Sequence, residues 1–276
     1  MGAILSVYNN KGGSGKTTST ISLAGCFADF GNKKVLVVDA DGQCNLTEAL
    51  TGGQGDIVAG TLKNAIETGS LNECIHTCTF DKRNKKTGRL QGKYTIDIVR
   101  GDRYIESLED DDVHSIRRLI EEVREDYDII LIDINPVMTG LTITSLLGSD
   151  FVITPSMYNI DHIQGISKTM DLIKTIRDSG YSDSLEMLGV YITMHKKNNS
   201  LEQLIKENAL ESLGGLLFRS ETRNTAILAE AAYTNMPVNS LQVTHPVVKD
   251  YHSLSLEILQ RLEERLKEGG YGYGKE

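Results

Sequence analysis

Runs of consecutive apolar residues recur at 3–8, 33–39, 128–133, 151–155 and 188–194. They do not alternate with polar residues, and each is too short for a buried helix. This is the pattern of strands covered on both faces of a parallel sheet. Residues 94–99 and 216–218 read as further strands. Between these runs the period changes. Residues 19–30, 61–66, 161–178, 199–210 and 226–232 read as helices. In 113–125, Val113, Ile116, Leu119, Ile120 and Val123 share one helical face, and Asp110, Asp111 and Asp112 stand at its start to cap it. Val247, Val248, Tyr251, Leu254, Ile258, Leu262 and Leu266 recur at helical spacing, which predicts a last helix docked on the core. Strands alternating with helices predict an α/β fold: a doubly wound, mainly parallel sheet with helices on both faces. No linker composition or internal repeat divides the pattern. One domain is expected over 1–268, with a flexible Gly-rich tail at 269–276.

A chain of 276 residues can bury a substantial core. No apolar run approaches the length of a membrane span, and the chain starts directly into a strand without a signal-peptide pattern. A cytoplasmic protein without a membrane segment is therefore expected. Cys26, Cys44, Cys74 and Cys78 do not have the look of a disulfide framework. Cys74, His76 and Cys78 alternate as in a strand, and a closed zinc site would need a second Cys/His cluster, which the sequence does not offer. The net charge of −9 argues against a globally basic coat for nucleic acid but leaves room for a local patch. Residues 82–93 carry six basic residues and no acidic one. Lying between two strand-like segments, they read as a hairpin tip: a solvated loop, or a contact to phosphate backbone or an acidic partner.

The chemistry-bearing segment is Lys11-Gly12-Gly13-Ser14-Gly15-Lys16-Thr17-Thr18, between the first strand and the first helix. Glycines let the backbone curl so that its N–H groups converge on one anion, and a helix start adds unpaired N–H groups and partial positive charge. Lys16 can reach β- and γ-phosphates, and the Thr17 hydroxyl can ligate Mg²⁺. The second strand ends in Asp39-Ala40-Asp41, placing two carboxylates where an open parallel sheet binds ligands. A central strand ends in Asp133.

Two lysines in this register, with Asn10 where the strict P-loop pattern has glycine, resemble the deviant Walker A motif of the ParA/MinD superfamily of P-loop NTPases. The run from Asp39 to Thr47 resembles that superfamily's D-x-D-P-Q-x-N-x-T segment, with Gly42 in place of proline. The strand ending at Asp133 resembles Walker B, although Asn135 replaces the first of two prolines. Residues 193–201 keep the Thr-Met of a family run but lack its Asp and Arg. Asn235-Met236-Pro237-Val238 resembles the loop that closes over adenine.

The resemblance implies an ATPase that dimerises around ATP and Mg²⁺. Gly12, Gly13, Ser14, Gly15, Lys16, Thr17, Thr18 and Pro237 would bind nucleotide, and Thr17, Asp39 and Asp133 would hold the metal. Lys11, Lys16 and Asp41 would be catalytic, Lys11 reaching the partner subunit's phosphates and Asp41 orienting water. For ParA-type members it further implies non-specific DNA binding by the ATP dimer, association with the nucleoid, and hydrolysis stimulated by a ParB-like adaptor. Lys196, Lys197, Arg219, Arg223 and Lys249 are the candidate DNA contacts. Two other readings differ in class. A MinD-like positioning ATPase needs a terminal amphipathic membrane anchor, and the acidic last helix disfavours one. A bacterial tyrosine kinase would use Tyr271 and Tyr273 but would lack Lys11.

Overall fold

The computed structural model describes residues 2–52, 57–84, 86–107, 112–196 and 200–268. Asp110, Asp111, Lys85, Lys197 and the expected tail at 269–276 lie outside the described residues, as does the side chain of Leu266.

In chain order the elements are β1 (Ala3–Val7), α1 (Lys16–Asp29), β2 (Val35–Ala40), α2 (Asn45–Thr51), α3 (Leu62–Thr68), β3 (Ile75–Arg83), β4 (Leu90–Val99), α4 (Ser115–Val123), β5 (Ile129–Ile134), α5 (Gly140–Leu147), β6 (Phe151–Ser156), α6 (Ile160–Asp178), β7 (Glu186–His195), α7 (Ser200–Leu213), β8 (Leu217–Arg223), α8 (Ile227–Tyr233), α9 (Val238–Gln242) and α10 (Pro246–Glu268). The strands form one sheet in the order β3-β4-β2-β5-β1-β6-β7-β8. Every neighbouring pair is parallel except β3–β4, which is the antiparallel hairpin expected around 82–93.

The consecutive apolar runs are explained by two covered faces. Alternate residues of a strand point to opposite sides. Leu5, Val7, Val35, Val37, Ile129 and Leu131 join one core cluster with Leu23 and Phe27 of α1 and Tyr251, Leu254 and Ile258 of α10. Ile4, Leu36, Val38, Ile130 and Ile132 join the other, with Ile116, Leu119, Ile120 and Val123 of α4. The apolar stripe of α10 is thus buried against the sheet. No helix among the described residues is long and apolar enough to cross a membrane.

Three differences from the sequence reading matter for the site. The first helix starts at Lys16 rather than residue 19, so the loop lysine stands in its first turn. The last strand extends to Arg223, so Arg219 and Arg223 lie on β8 and not beyond it. Its polar stretch is held because Glu257 of α10 accepts the backbone N–H groups of Arg219 and Ser220, both at 2.9 Å. Helices α2, α5 and α9 are short elements that the apolar pattern alone did not mark. At the start of α4, Asp112 accepts the His114 N–H at 3.0 Å.

Candidate functional site

Strand β1 ends at Val7, and the chain from Asn9 to Gly15 wraps over the carboxyl end of the sheet. Asn9 anchors this loop at both ends of its side chain. Its Nδ2 donates to Pro155 O at 2.8 Å, and its Oδ1 accepts the Lys11 N–H at 3.0 Å. Gly13 (φ 74°) and Gly15 (φ 82°) both occupy the left-handed region. That geometry turns successive N–H groups toward one point, and only glycine adopts it without strain. From the end of β7, Thr193 Oγ1 lies 2.8 Å from Ser14 O and 3.1 Å from Ser156 O, tying the loop to β6.

Lys16 folds back across the loop, its Nζ donating to Lys11 O at 3.3 Å. The side chain is 8% exposed. Burial depresses its pKa, while the charges of Asp133 and Asp41 oppose that shift. Asp39 and Asp133 are register partners on the adjacent strands β2 and β5. The Asp133 carboxylate accepts from the Thr17 hydroxyl at 2.7 Å and the Thr20 hydroxyl at 3.2 Å. Its pKa is pushed up to about 7, first by burial and then by the charge of Asp39. Asp39 is raised to about 6, again chiefly by burial. A cluster of desolvated carboxylates beside a Thr hydroxyl is an oxygen-donor set suited to Mg²⁺, whose charge would relieve the repulsion. Thr17 and Asp133 fit that role directly.

Asp39 stands differently. Its Oδ2 accepts both the backbone N–H (2.8 Å) and the hydroxyl (2.6 Å) of Thr47, and its Oδ1 accepts the Asp41 N–H at 3.2 Å. It satisfies an otherwise orphan N–H in the first turn of α2, the task of a helix cap. Asp41 is 8% exposed, and its Oδ1 accepts from Gln43 N and Asn135 Nδ2, both at 2.9 Å. Sequence reasoning treated Asn135 only as a departure from a proline; here it grips the candidate water-orienting carboxylate. Asn135 Oδ1 also accepts the Val137 N–H at 2.9 Å, which fixes the turn after β5.

Gly12, Gly13, Gly15, Lys16, Thr17, Thr18, Asp41, Asn135 and Val137 line a groove of about 530 Å³, whereas Asp39 and Asp133 are buried and not part of its wall. Met194, with φ 56°, closes one wall and lies against Gly15. A second cavity of about 410 Å³ shares Thr17 and Thr18 and is walled by Ile21, Leu228, Met236 and Val238. Its other walls carry the polar side chains of Ser22, Asn45, Glu48 and Asn235, a mixture that suits a flat heteroaromatic ring with polar edges such as adenine. Pro237 lies behind it, buried against Gly25, while its two neighbours face the space. Lys11 is not among the groove's lining residues. Its stem passes so close to Gly165 of α6 that a Cβ there would lie 2.8 Å from Lys11 Cγ. Beside it, His162 is buried, and its pKa is lowered by burial and then by the Lys11 charge.

Three of the candidate DNA contacts come to one end of the sheet: Lys196 follows His195, the register partner of Arg223, and Lys249 precedes Asp250, which pairs with Arg223, while Arg219 stands four residues earlier on β8. Lys196, Arg219 and Lys249 are exposed. Arg223 is paired with Asp250 through Nε (2.6 Å) and Nη2 (2.8 Å), so its guanidinium is already engaged by a carboxylate 27 residues away in sequence. Arg219 borders a separate polar cleft with Glu257 and Arg261.

A model of the AAA domain family matches residues 2–187. The chain is 26% identical over 266 residues to the chromosome-partitioning ATPase Soj of Treponema pallidum, covering 95% of this chain and 98% of that protein. Among solved structures it resembles the ATP complex of McdA from Cyanothece, with a TM-score of 0.76 and 18% identity over 94% of this chain and 96% of the other. It also resembles a plasmid partition protein of Borrelia burgdorferi bound to AMPPNP, with a TM-score of 0.70 and 19% identity over 96% of this chain and all of the other. The strand order, the two-lysine glycine loop and the carboxylates at the ends of β2 and β5 agree with these likenesses: the chain belongs to the AAA domain family and is a P-loop ATPase of the ParA/MinD type.

Proposed function

We propose that the chain is an ATP-driven switch. It forms a homodimer around two ATP–Mg²⁺ units, binds DNA without sequence preference in that state, and is reset by slow, partner-stimulated hydrolysis. The cargo would be a plasmid, a chromosome or another mobile DNA, with a ParB-like adaptor as partner. The names of its relatives, a chromosome-partitioning ATPase and a plasmid partition protein, favour this cargo. The protein would act in the cytoplasm and on the nucleoid.

The observation that carries the reading is the division of labour between the two lysines. Lys16 lines its own groove, whereas Lys11, half-buried, is absent from that lining and packs its stem against Gly165 of α6. Two closely packed triphosphates repel strongly, and a cation reaching over from each subunit would offset that repulsion. Around the same groove Val137 (59% exposed), Met138 (47%) and Ile160 (68%) present apolar side chains to solvent, as an unassembled interface would. Within the groove, Mg²⁺ supplies charge neutralisation at the phosphates when bound. Thr17 and Asp133 would hold it, Asp39 would brace the α2 turn beside it, and Asp41, steadied by Asn135, would orient the attacking water.

The test is binding of a random-sequence duplex, read by fluorescence anisotropy without nucleotide, with ADP–Mg²⁺ and with ATP–Mg²⁺. The Asp41→Ala variant is measured alongside. The reading expects ATP-dependent, salt-sensitive binding that Asp41→Ala prolongs. An Asp41→Ala dimer that forms with ATP yet ignores DNA would redirect the cargo to a protein assembly or a membrane.

A further inference from the structure

The β3–β4 hairpin leaves the body of the sheet. Only Asp97, Ile98 and Val99 of β4 pair with β2; from Ile96 back to the turn, β4 has β3 alone beside it. Because β4 runs parallel to β2, this free part projects from the end of the sheet opposite Asp39 and the phosphate groove. From 86 to 93 every residue is exposed except Gly88, which is half-buried.

The base of this ribbon is clamped. The Tyr94 hydroxyl lies 2.7 Å from Ser240 Oγ, which donates to Asp81 O at 2.8 Å. Asn239 Nδ2 lies 3.1 Å from both Tyr94 Oη and the buried Asp29 carboxylate. Arg83 Nε donates to Ser240 O at 2.9 Å, and Lys82 Nζ to Asp29 O at 3.1 Å. Buried polar groups joined in this way hold one geometry. The base of the ribbon is therefore held fixed against Asp29, Asn239 and Ser240.

Lys82 and Arg83 are turned inward by this clamp. Lys86, Arg89 and Lys93 remain, with no ion pair among the described residues and no acid between 82 and 93. Lys86 and Arg89 stand in the turn, and Lys93 on β4.

We propose that this ribbon is a contact for duplex DNA, with Lys86, Arg89 and Lys93 engaging phosphate oxygens whatever the nucleotide state. A two-stranded ribbon is among the few elements that the major groove admits. Cations on an arm anchored at its base release condensed counterions when they meet phosphates. Apart from Leu90, the exposed positions are polar or glycine (Thr87, Gln91, Gly92), so the arm lacks the apolar centre of a protein–protein contact. The proposal stands apart from the ATP-gated binding above.

The experiment uses the full chain without nucleotide and a random-sequence duplex, at low and near-physiological salt. Lys86→Ala/Arg89→Ala/Lys93→Ala is compared with the charge-keeping Lys86→Arg/Arg89→Lys/Lys93→Arg. The triple alanine variant is expected to bind roughly tenfold more weakly at low salt, and its salt slope to shrink by about 2–3, at about 0.9 per lost phosphate contact. The charge-keeping variant should match the wild type. Equal affinity and slope in the alanine variant would overturn the proposal. So would poly-glutamate binding the ribbon more tightly than the duplex, which would assign the arm to an acidic protein. Repeating the titration with ATP–Mg²⁺ reads the gated increment separately, so its absence would count against the switch alone.

Discussion

At the scale of single residues the site is a balance of buried charge. Lys16 is desolvated near Asp133 and Asp41, and its ammonium donates a long hydrogen bond to a carbonyl of its own loop. A phosphate would supply a stronger acceptor. Lys16→Ala should weaken ATP binding about 10- to 100-fold, the value of about 1.5–3 kcal/mol for a charge-assisted hydrogen bond. Nucleotide titration by calorimetry checks this, and retained affinity would remove Lys16 from the phosphate site. The carboxylates give a pH signature. Asp133, raised to about 7, and Asp39, raised to about 6, hold protons more tightly in the folded apo protein than in the unfolded chain. Their contribution to stability is full below about pH 4 and is lost as pH rises toward 7. Relative to Asp133→Asn, the wild-type apo protein should therefore lose stability over that range, by up to about 1.4 kcal/mol per pH unit. Denaturant unfolding at a series of pH values measures the difference, and parallel curves for the two proteins would contradict the assignment.

At the scale of elements, what could be read from the sequence was what neighbours in the chain decide. The glycine loop, the doubly apolar strands and the stripe of α10 are local patterns, and they stand where the periodicity put them. The start of α1 was read three residues late because a glycine run carries no helix signal until its ligand-facing turn is known. Strand β8 was read short because Arg219, Ser220 and Arg223 look like loop; Glu257 and Asp250, which hold them, come from α10. The cap that Asp39 makes on α2, and the hold of Asn135 on Asp41, likewise join residues that only the sheet brings together. The contact between α6 and the glycine loop is of this kind and can be tested. A Cβ on Gly165 would sit 2.6 Å from Asn9 Oδ1 and 2.8 Å from Lys11 Cγ. Gly165→Ala should cost about 1–3 kcal/mol through overpacking and lower ATP affinity by displacing Asn9, which holds the loop at Pro155. Thermal unfolding together with nucleotide titration reads both effects. A variant unchanged in both would mean that the loop does not depend on α6 for its position.

At the scale of the whole molecule, the sheet order explains why one edge carries the chemistry. The chain passes from β1 to β2 across β5, and from β5 to β6 across β1, so the connections diverge at the middle of the sheet and leave a crevice at its carboxyl edge. The glycine loop, Asp39, Asp41 and Asp133 all converge there. The same edge leaves Val137, Met138 and Ile160 in water. Exposed apolar groups beside a charged groove favour a partner that covers both together, and on the reading proposed above Lys11 would reach that partner's phosphates. If a second copy is the partner, charge placed among the apolar groups should block assembly without touching the nucleotide. Met138→Glu/Ile160→Glu, at two exposed positions outside the groove's lining, should keep ATP affinity within about threefold, a change of under 1 kcal/mol, yet show no ATP-dependent rise in mass by light scattering. A like charge buried on each side of a two-fold contact is repelled by its own copy as well as desolvated. An undiminished ATP dimer in this variant would place the interface on another face of the molecule and leave Lys11 without the role proposed for it.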